Sequence, residues 1–453
     1  MVQTPAQFLP VEEALKIELA ENNAVAASIA IYQDGEIVFN KGYGVKAVNA
    51  SEEVDETTLF QIGSTTKMLT ATAILRAVEQ GKLSLDDKLI DQVPGINYTS
   101  SWWQDISIRD LLTHQTGLED EYDDSHLNQE LVDFLTTNYP VENGMMNQAG
   151  KFFNYSNPNY SYLGAVLEQV YNTEYAQVMQ QQVFQPLNMS TATVEAEQVE
   201  TYGNFALGAL SKSSGYSALS QVPHSKVTAP AGENTWMTSA DLIKVAEFLI
   251  DGNESVLPLM ASQQLTEKQI DIQSGGLPFS YGFGVFVNDG MVYDSKWYPG
   301  KVWHHGGNSD GYTSTFWILP EANVAVAILS SGEDDDFTNS MFAAVESVVD
   351  LPAPQEVPLV EVDQSDYVNY VGRYYAGDVE VLVSQQEDIL NLSIPEFDEN
   401  GLSYDSTIYP YSDRSFFILI EDEPMELTFI PEGDNPQAMY MRTRSFVAIR
   451  EGN

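Results

Sequence analysis

The chain has 453 residues, 66 of them acidic and 20 basic, and its formal net charge is −46. This length allows two or three domains, and an apolar content of 43% is too high for a disordered acidic tail. The negative charge disfavours nucleic acid and anionic membrane surfaces as partners, because their phosphate groups would be repelled. The absence of cysteine excludes disulfides, zinc–thiolate sites and cysteine nucleophiles.

The acidic residues are spread along the whole chain and include two dense runs, Glu119–Asp124 and Glu333–Asp336. Carboxylate oxygens bind calcium, but neither run has the alternating ligand spacing of a calcium loop, so a solvated acidic surface is the favoured interpretation. Such a surface repels itself at low ionic strength and would suit a saline habitat. No apolar run approaches the roughly 18 residues of a spanning helix, and the N-terminal stretch predicts no signal peptide in this chain.

The N-terminal region predicts one helix followed by a hairpin. Apolar residues recur at helical spacing over Val11–Asn23. The apolar runs Ala26–Tyr32 and Glu36–Asn40 are separated by Asp34-Gly35, a dipeptide typical of two-residue β-hairpin turns.

The middle of the chain predicts mainly helices, and the segment between about residues 280 and 330 predicts strands. The segment Thr65–Gln80 is a strong helix candidate that ends at Gly81. Further helices are predicted at Ile108–Thr113, Tyr160–Tyr171, Ser239–Leu249 and Asp336–Val349, and strands at Gly282–Val287, Ser314–Leu319 and Val324–Leu329. This order implies an α+β fold in which both ends of the region build one antiparallel sheet flanked by helices.

A proline-rich stretch, Leu351–Pro358, marks a domain boundary. We predict a first domain at residues 1–350, a linker at 351–359 and a second domain at 360–453. The sequence of the second domain predicts six short strands and no clear helix, which indicates a small all-β barrel or sandwich. The predicted strands are Val379–Val383, Ile389–Ile394, Ser415–Ile420, Glu426–Ile430, Ala438–Met441 and Phe446–Ile449. A cut near Pro358 should leave the first domain soluble and folded.

The first pattern that suggests chemistry is Ser64-Thr65-Thr66-Lys67, at the start of the strong helix. Residues three apart on a helix lie on one face, one turn apart. The helix N-terminus also supplies free N–H groups and positive potential for an oxyanion. Ser64 and Lys67 therefore fit a nucleophile and its base, although Ser64 as a helix cap and Lys67 as a solvated charge would produce the same pattern.

Two weaker patterns follow. In Tyr155-x-Asn157, residues two apart in an extended loop point the same way and would both face a cleft. The alternative is a tyrosine that packs its ring and an asparagine that makes a turn. In His305-Gly306-Gly307, the glycines would let a substrate approach the backbone closely, although a single histidine is often structural.

A second serine pattern has to be rejected. The run Gly307–Gly311 matches Gly-x-Ser-x-Gly, the strand–turn–helix signature of α/β-hydrolases, with Ser309 as its serine. That signature requires a helix after the serine. The following segment, Tyr312–Leu319, is rich in aromatic and β-branched residues and predicts a strand.

The order Ser-x-x-Lys, Tyr-x-Asn, His-x-Gly resembles the serine β-lactamase and penicillin-binding-protein superfamily, especially its class C-like esterase and D-aminopeptidase branch. The resemblance covers roughly residues 10–350. It extends to the stretches Leu59–Ser64, Gly81–Asp87, Leu111–Leu118, Ala231-Gly232 and Thr238–Leu242. More weakly, the run from Tyr370 through Gly372 to Tyr374 resembles the lipocalin-like barrels appended to some members.

The resemblance implies a serine hydrolase that forms an acyl-enzyme. Ser64 would be the nucleophile and Lys67 its base, with a pKa lowered by burial. Tyr155 would relay the proton to the leaving group. Asn157 would hold Lys67 and bind the acyl side, and the backbone N–H groups of Ser64 and Asn308 would form the oxyanion hole.

The resemblance also bears on the substrate. His305 and Gly307 would belong to the substrate-binding residues. His305 lies where penicillin-binding proteins usually carry the lysine of Lys-Thr-Gly. Loss of that cation disfavours β-lactam hydrolysis and favours small esters or short peptides, including peptides of D-amino acids. No metal or organic cofactor is needed. A true β-lactamase or D,D-carboxypeptidase and a non-catalytic peptidoglycan- or ligand-binding module stay open as alternatives.

Compartment, assembly and the second domain are less constrained. Most relatives act outside the cytoplasm, which implies a periplasmic or secreted protein, and a homo-oligomer stays open. The second domain is either a passive cap or assembly contact, or it rests a loop over the Ser64 pocket. Barrels carry loops at their mouth, and the candidate loops are Glu396–Ser403 and Pro431–Gln437.

Overall fold

A computed structural model describes residues 4–22, 24–98, 100–120, 129–137, 139, 144–212, 215–272, 276–360, 362–412 and 414–452. Its largest element is an eight-stranded antiparallel sheet, the main sheet. Its strands, in order across the sheet, are Glu36–Gly44, Ala26–Gln33, Val324–Ser330, Tyr312–Leu319, Lys296–Ser309, Phe286–Tyr293, Phe279–Tyr281 and Ile270–Ile272. Both ends of the region build this sheet, and the predicted α+β class is confirmed.

Helices cover both faces of the main sheet. The helices Leu9–Glu21 and Thr338–Glu346 pack together on one face, and Ser239–Asp251 packs on the other. The strand Ala26–Gln33 is therefore buried on both sides, which explains its unbroken apolar sequence. The predicted end of the first helix, Asn23, lies outside the described residues.

The helical part lies between the N-terminal hairpin and the later strands. Its centre is the helix Thr66–Glu79, preceded by a 3₁₀ turn at Gly63–Thr65 and almost wholly buried. The other helices of this part are Leu89–Gln92, Ile108–Leu112, Leu131–Thr137, Asn157–Tyr171, Tyr175–Met179, Ala196–Tyr202 and Leu259–Thr266. Two short ribbons complete it, Phe60–Gln61 with Trp236–Met237 and Ala209–Lys212 with Gly215–Ala218.

The predicted strand Gly282–Val287 was wrong. Most of it is the connection between two strands of the main sheet. Gly284 has φ +73°, and a Cβ placed there would lie 2.5 Å from the carbonyl oxygen of Lys67, so this connection passes directly beneath the central helix. The longest strand of the described residues, Lys296–Ser309, was not predicted, because Pro299 and Gly300 interrupt its pattern at a shift in register.

The C-terminal region forms a closed barrel of eight strands. The strands are Gly372–Ala376, Val379–Gln386, Ile389–Ser393, Thr407–Ser412, Ser415–Ile420, Glu423–Pro431, Ala438–Arg442 and Val447–Arg450. The barrel prediction is confirmed, but six strands were predicted. The missing ones begin at Gly372 and Thr407, and the second contains Pro410, which weakens a strand pattern. Short helices at Tyr367–Tyr370 and Pro395–Asn400 were not predicted either.

The rejected serine motif and the acidic runs can be checked directly. Ser309 ends a strand, its hydroxyl donates to Gln61, and Tyr312–Leu319 is the predicted strand, so no helix follows it.

Residues 121–124 of the first acidic run lie outside the described residues. In the second run Asp335 is only 7% exposed, so the expectation of a solvated surface fails at this residue. Among the residues described, no group of acidic and histidine side chains could hold a metal ion, and no helix is long and apolar enough to cross a bilayer.

Candidate active site

The predicted nucleophile and base lie in contact. Ser64 is in the 3₁₀ turn that leads into the helix Thr66–Glu79, and Lys67 follows one turn later. Lys67 Nζ lies 3.0 Å from Ser64 Oγ and 2.7 Å from Asn157 Oδ1, and it also donates to the carbonyl oxygen of Ala231. The lysine is fully buried, so the alternative of a solvated surface charge does not describe it.

Burial lowers the pKa of Lys67 to about 7. The cost of keeping an ammonium away from water is the main cause, and the positive charge of Arg444 acts in the same direction. The carboxylates of Asp120 and Glu233 act the other way. A substantial fraction of Lys67 is therefore neutral near pH 7 and able to accept a proton.

Tyr155 and Asn157 both face Lys67, and Ser156 between them is extended, as predicted, although Asn157 already belongs to a helix. Asn157 is the first residue of the helix Asn157–Tyr171, which starts one turn earlier than predicted because Pro158 fits the first turn of a helix. The ring of Tyr155 lies 4.8 Å from Lys67 Nζ. Burial raises the pKa of Tyr155 even though a hydrogen bond to Ser64 lowers it, so its phenol stays protonated at neutral pH.

The His305 segment forms the opposite wall. It belongs to the strand Lys296–Ser309, and the side chain of His305 is buried with Nε2 3.3 Å from the hydroxyl of Tyr281. Burial lowers the pKa of His305 to about 3, with a further contribution from Lys67. The imidazole is therefore neutral at pH 7. This wall thus carries no permanent cation at the position where the family resemblance gives penicillin-binding proteins a lysine.

Glycines bring this strand against the nucleophile turn. A Cβ on Gly307 would lie 2.7 Å from the backbone nitrogen of Ser64, and one on Gly63 would lie 2.8 Å from the backbone nitrogen of Asn308. Only glycine permits this approach. It puts the backbone of Ser64 beside that of Asn308, where the sequence analysis expected an oxyanion hole.

His114 supports the Tyr155 ring from behind and was not among the predicted site residues. Its ring stacks on Tyr155 with centroids 4.3 Å apart. The backbone N–H of Ser156 donates to His114 Nδ1 at 3.1 Å, and burial holds the pKa of the imidazole well below its usual range. The only sequence signal was its position in the stretch Leu111–Leu118, quoted for the family resemblance.

The barrel also contributes to the site. A cleft of about 580 Å³ is lined by all the predicted site residues except the buried Lys67, together with Arg444, from the turn between the last two barrel strands. Two other barrel loops were predicted to lie here. Neither Glu396–Ser403 nor Pro431–Gln437 lines this cleft, and most of the first forms the helix Pro395–Asn400.

Comparison with known proteins agrees with the family resemblance seen in the sequence. A family model described as Beta-lactamase matches residues 11–349. Protein flp of Staphylococcus aureus (strain MW2) is 23% identical over 335 residues, 71% of this chain and 62% of that protein, so the chain spans less than two thirds of flp. Penicillin-binding protein 4* of Bacillus subtilis (strain 168) is 23% identical over 438 residues, 90% of this chain and 91% of that protein.

A solved structure shares the whole architecture. The octameric penicillin-binding protein homologue from Pyrococcus abyssi superposes with a TM-score of 0.68 at 22% identity, over 97% of this chain and 99% of the other. At that identity the likeness concerns the fold. It includes the barrel, since coverage of this extent reaches beyond the region that matches the family model.

Proposed function

This chain belongs to the beta-lactamase family, whose members include the penicillin-binding-protein-like serine hydrolases, and we propose that it hydrolyses small esters or short peptides through an acyl-enzyme. The observation that carries this proposal is the 3.0 Å contact between Lys67 Nζ and Ser64 Oγ. A fully buried lysine with a pKa of about 7 beside a serine hydroxyl is suited to accept the proton of that hydroxyl.

In the proposed acylation, neutral Lys67 takes the proton of Ser64 as Oγ attacks the substrate carbonyl carbon. The backbone N–H groups of Ser64 and Asn308 stabilise the oxyanion. The protonated phenol of Tyr155 donates its proton to the leaving group and recovers one from Lys67. Water then hydrolyses the acyl-enzyme and restores the Ser64 hydroxyl, so the cycle needs no metal or organic cofactor.

The neutral charge of His305 supports uncharged substrates. Its pKa of about 3 leaves the imidazole without charge at neutral pH, so it offers a carboxylate no ionic partner on this wall. Small acyl esters meet that condition, and so do short peptides, including those of D-amino acids, whose C-terminal carboxylate is blocked or lies away from this wall; β-lactams carry a carboxylate that gains from a cation.

A second candidate is β-lactamase or D,D-carboxypeptidase activity. The similarity to penicillin-binding protein 4* over 90% of this chain favours it. The two candidates are separated by comparing kcat/KM for a p-nitrophenyl acyl ester, a cephalosporin and a peptide ending in D-Ala-D-Ala. Faster turnover of the ester supports the first proposal, and faster turnover of either other substrate supports the second.

A fluorophosphonate probe tests whether the protein is an enzyme. We expect one covalent adduct per chain by intact mass, located on Ser64 by peptide mapping. Ser64→Ala should prevent labelling, whereas Ser309→Ala should not. Absence of any adduct in the unmodified protein would favour a non-catalytic peptidoglycan- or ligand-binding module.

Assembly and location form part of the same proposal. The Pyrococcus abyssi homologue is octameric, and we extend a homo-oligomer to this chain, to be tested by light scattering after size exclusion. We also propose that the protein acts in the periplasm or outside the cell, as the family resemblance implies. Fractionation of the native host with an antibody tests that location.

A further inference from the structure

The barrel holds the chain segment that leads directly to Tyr155. At its start, Lys151 Nζ forms an ion pair with Glu432 at 2.5 Å. The next residue, Phe152, is buried against barrel side chains in a small apolar cluster that also contains Ile430, Met439, Tyr440 and Val447. This segment is therefore anchored by the barrel as well as by the catalytic region.

The contacts continue through the next two residues. The carbonyl oxygen of Phe153 accepts a hydrogen bond from Arg442 Nη1 at 2.8 Å, and that guanidinium is almost completely buried. Asn154 Nδ2 donates to the carbonyl oxygen of Arg444 at 3.4 Å. Every residue from Lys151 to Asn154 thus touches the barrel before the chain reaches Tyr155.

The side chain of Arg444 then reaches the site itself. Its guanidinium carbon lies 4.9 Å from the centre of the Tyr155 ring, within the range of a cation–π contact. Its Nε and Nη2 donate to Asp120 Oδ2 at 3.0 and 2.5 Å. The other carboxylate oxygen of Asp120 accepts the backbone N–H of Asn157 at 2.7 Å, and Asn157 holds Lys67.

We propose that Arg444 is a positioning residue through which the barrel completes the Ser64 site, acting on the Tyr155 ring and, through Asp120, on Asn157. This inference rests on the proposed hydrolase function and assigns the barrel a part in it. The Arg444 side chain is 60% exposed, so its ion pair contributes little to the free energy of unfolding. A purely structural tether would not need to place a guanidinium over a reacting group.

The charge of Arg444 should also affect Lys67. It lowers the pKa of the lysine, whereas Asp120 raises it more strongly, so Arg444 offsets part of the effect of Asp120. The other titratable groups around Lys67 are Glu233, Tyr155, Tyr160, His114 and His305. Arg444 also lowers the pKa values of Tyr155 and His114, but burial is the main cause of both shifts, so the phenol stays protonated and the imidazole neutral near pH 7 without it. Removal of the guanidinium would leave the Asp120 carboxylate uncompensated and raise the pKa of Lys67.

The test compares Arg444→Met, Arg444→Lys and the unmodified protein in the full chain. The measurement is kcat/KM for a p-nitrophenyl acyl ester between pH 5 and 9, with fluorophosphonate labelling rates over the same range. Arg373→Met is the matched control, because Arg373 also forms a barrel ion pair, with Glu380 at 2.9 Å, but does not line the Ser64 cleft. Melting temperatures are measured for all four proteins.

For Arg444→Met we expect kcat/KM at pH 7 to fall about tenfold or more, with the acidic limb moved to higher pH and the melting temperature nearly unchanged. Arg444→Lys should restore the position of the limb, because it keeps the charge, and Arg373→Met should match the unmodified protein. Equal profiles for Arg444→Met and the unmodified protein, or a loss of activity explained by unfolding, would overturn the inference. If the unmodified protein shows neither labelling nor turnover, the proposed function itself has failed.

Discussion

Lys67 Nζ lies 2.7 Å from Oδ1 of Asn157, a residue 90 positions further along the chain. Asn157 is itself fixed, since it is the first residue of a helix and its backbone N–H donates to Asp120. The lysine is thereby aimed at Ser64 by a side chain that cannot easily move. Substitutions at Ser64, Lys67 and Asn157 should therefore affect different functions: the nucleophile, the base and the position of the base.

Ser64→Ala should reduce ester hydrolysis by at least about 10³-fold, because the reacting hydroxyl is lost and only binding and oxyanion contacts remain. The melting temperature should stay within a few degrees, because the residue replaced is small and the change removes a single oxygen atom. Steady-state kinetics and thermal unfolding of the two proteins check this.

Ser309→Ala is the control for that experiment. Its hydroxyl donates to Gln61 at the end of a strand, and Ser309 is not among the residues that line the Ser64 cleft. We expect most activity to remain. Labelling of Ser309 in place of Ser64 by the fluorophosphonate probe would contradict the mechanism.

Activity should rise with pH through about 7, because the pKa of Lys67 lies near that value and the base works only when neutral. Lys67→Ala should remove both this limb and most of the acylation rate. The measurement is the rate of fluorophosphonate labelling from pH 5 to 9. A labelling rate that is flat from pH 6 to 8, or near-normal in Lys67→Ala, would show that another group is the base.

The sequence was sufficient for the parts of the site that are local in the chain. Ser64 and Lys67 are one helical turn apart, so their contact follows from the helix alone. It was not sufficient for Arg444, which reaches Tyr155 only because the barrel docks against the segment before it. No periodicity or motif encodes how the apolar core of the barrel meets the region before it.

The same distinction applies to the fold. The hairpin was predicted correctly because Asp34 and Gly35 both adopt positive φ, at 51° and 92°, as the turn type requires. The strand Lys296–Ser309 was missed because its irregular middle is compensated by neighbouring strands on both sides. The favoured interpretation of the second acidic run, a solvated surface, was wrong at Asp335, whose burial depends on contacts with Ser330 and Thr313.

Asp335→Asn should stabilise the protein at pH 8. Burial raises the pKa of Asp335 to about 6, with help from Asp334, so the folded state binds a proton more tightly than the unfolded state. The stability from this group is present at pH 4 and lost as the pH rises through about 6. The asparagine variant should gain about 1–3 kcal/mol over the unmodified protein at pH 8, and much less at pH 4.5.

Urea unfolding of both proteins at the two pH values measures this difference. Taking the difference between the two proteins cancels the contributions of the other carboxylates. An equal gain at both pH values would mean that the effect of the substitution is not electrostatic, and a loss at pH 8 would mean that the ionised carboxylate is stabilising.

Salt should raise the melting temperature. The net charge is −46, and an increase in ionic strength from about 0.01 M to 1 M shortens the screening length from about 30 Å to 3 Å. Repulsion across the surface should then decrease and favour the compact state. Differential scanning fluorimetry in NaCl checks this, and a flat or falling melting temperature would show that the acidic residues are already locally balanced.

Cleavage of the linker should leave the barrel attached and the enzyme active. A protease site inserted after Pro358 lies in an exposed stretch, so it can be cut without disturbing either core. The apolar contacts of Phe152 and the buried hydrogen bond from Arg442 to Phe153 should then hold the two fragments together. Size exclusion after cleavage should give one peak that contains both fragments and retains ester hydrolysis.

Phe152→Glu should separate the cleaved fragments, because it places a charge in the apolar cluster, and Phe152→Leu is the matched control that keeps the cluster apolar. If the unmodified fragments part after cleavage, the barrel is held mainly by its linker, and the region before Pro358 can be tested on its own for changed acceptance of bulky acyl groups.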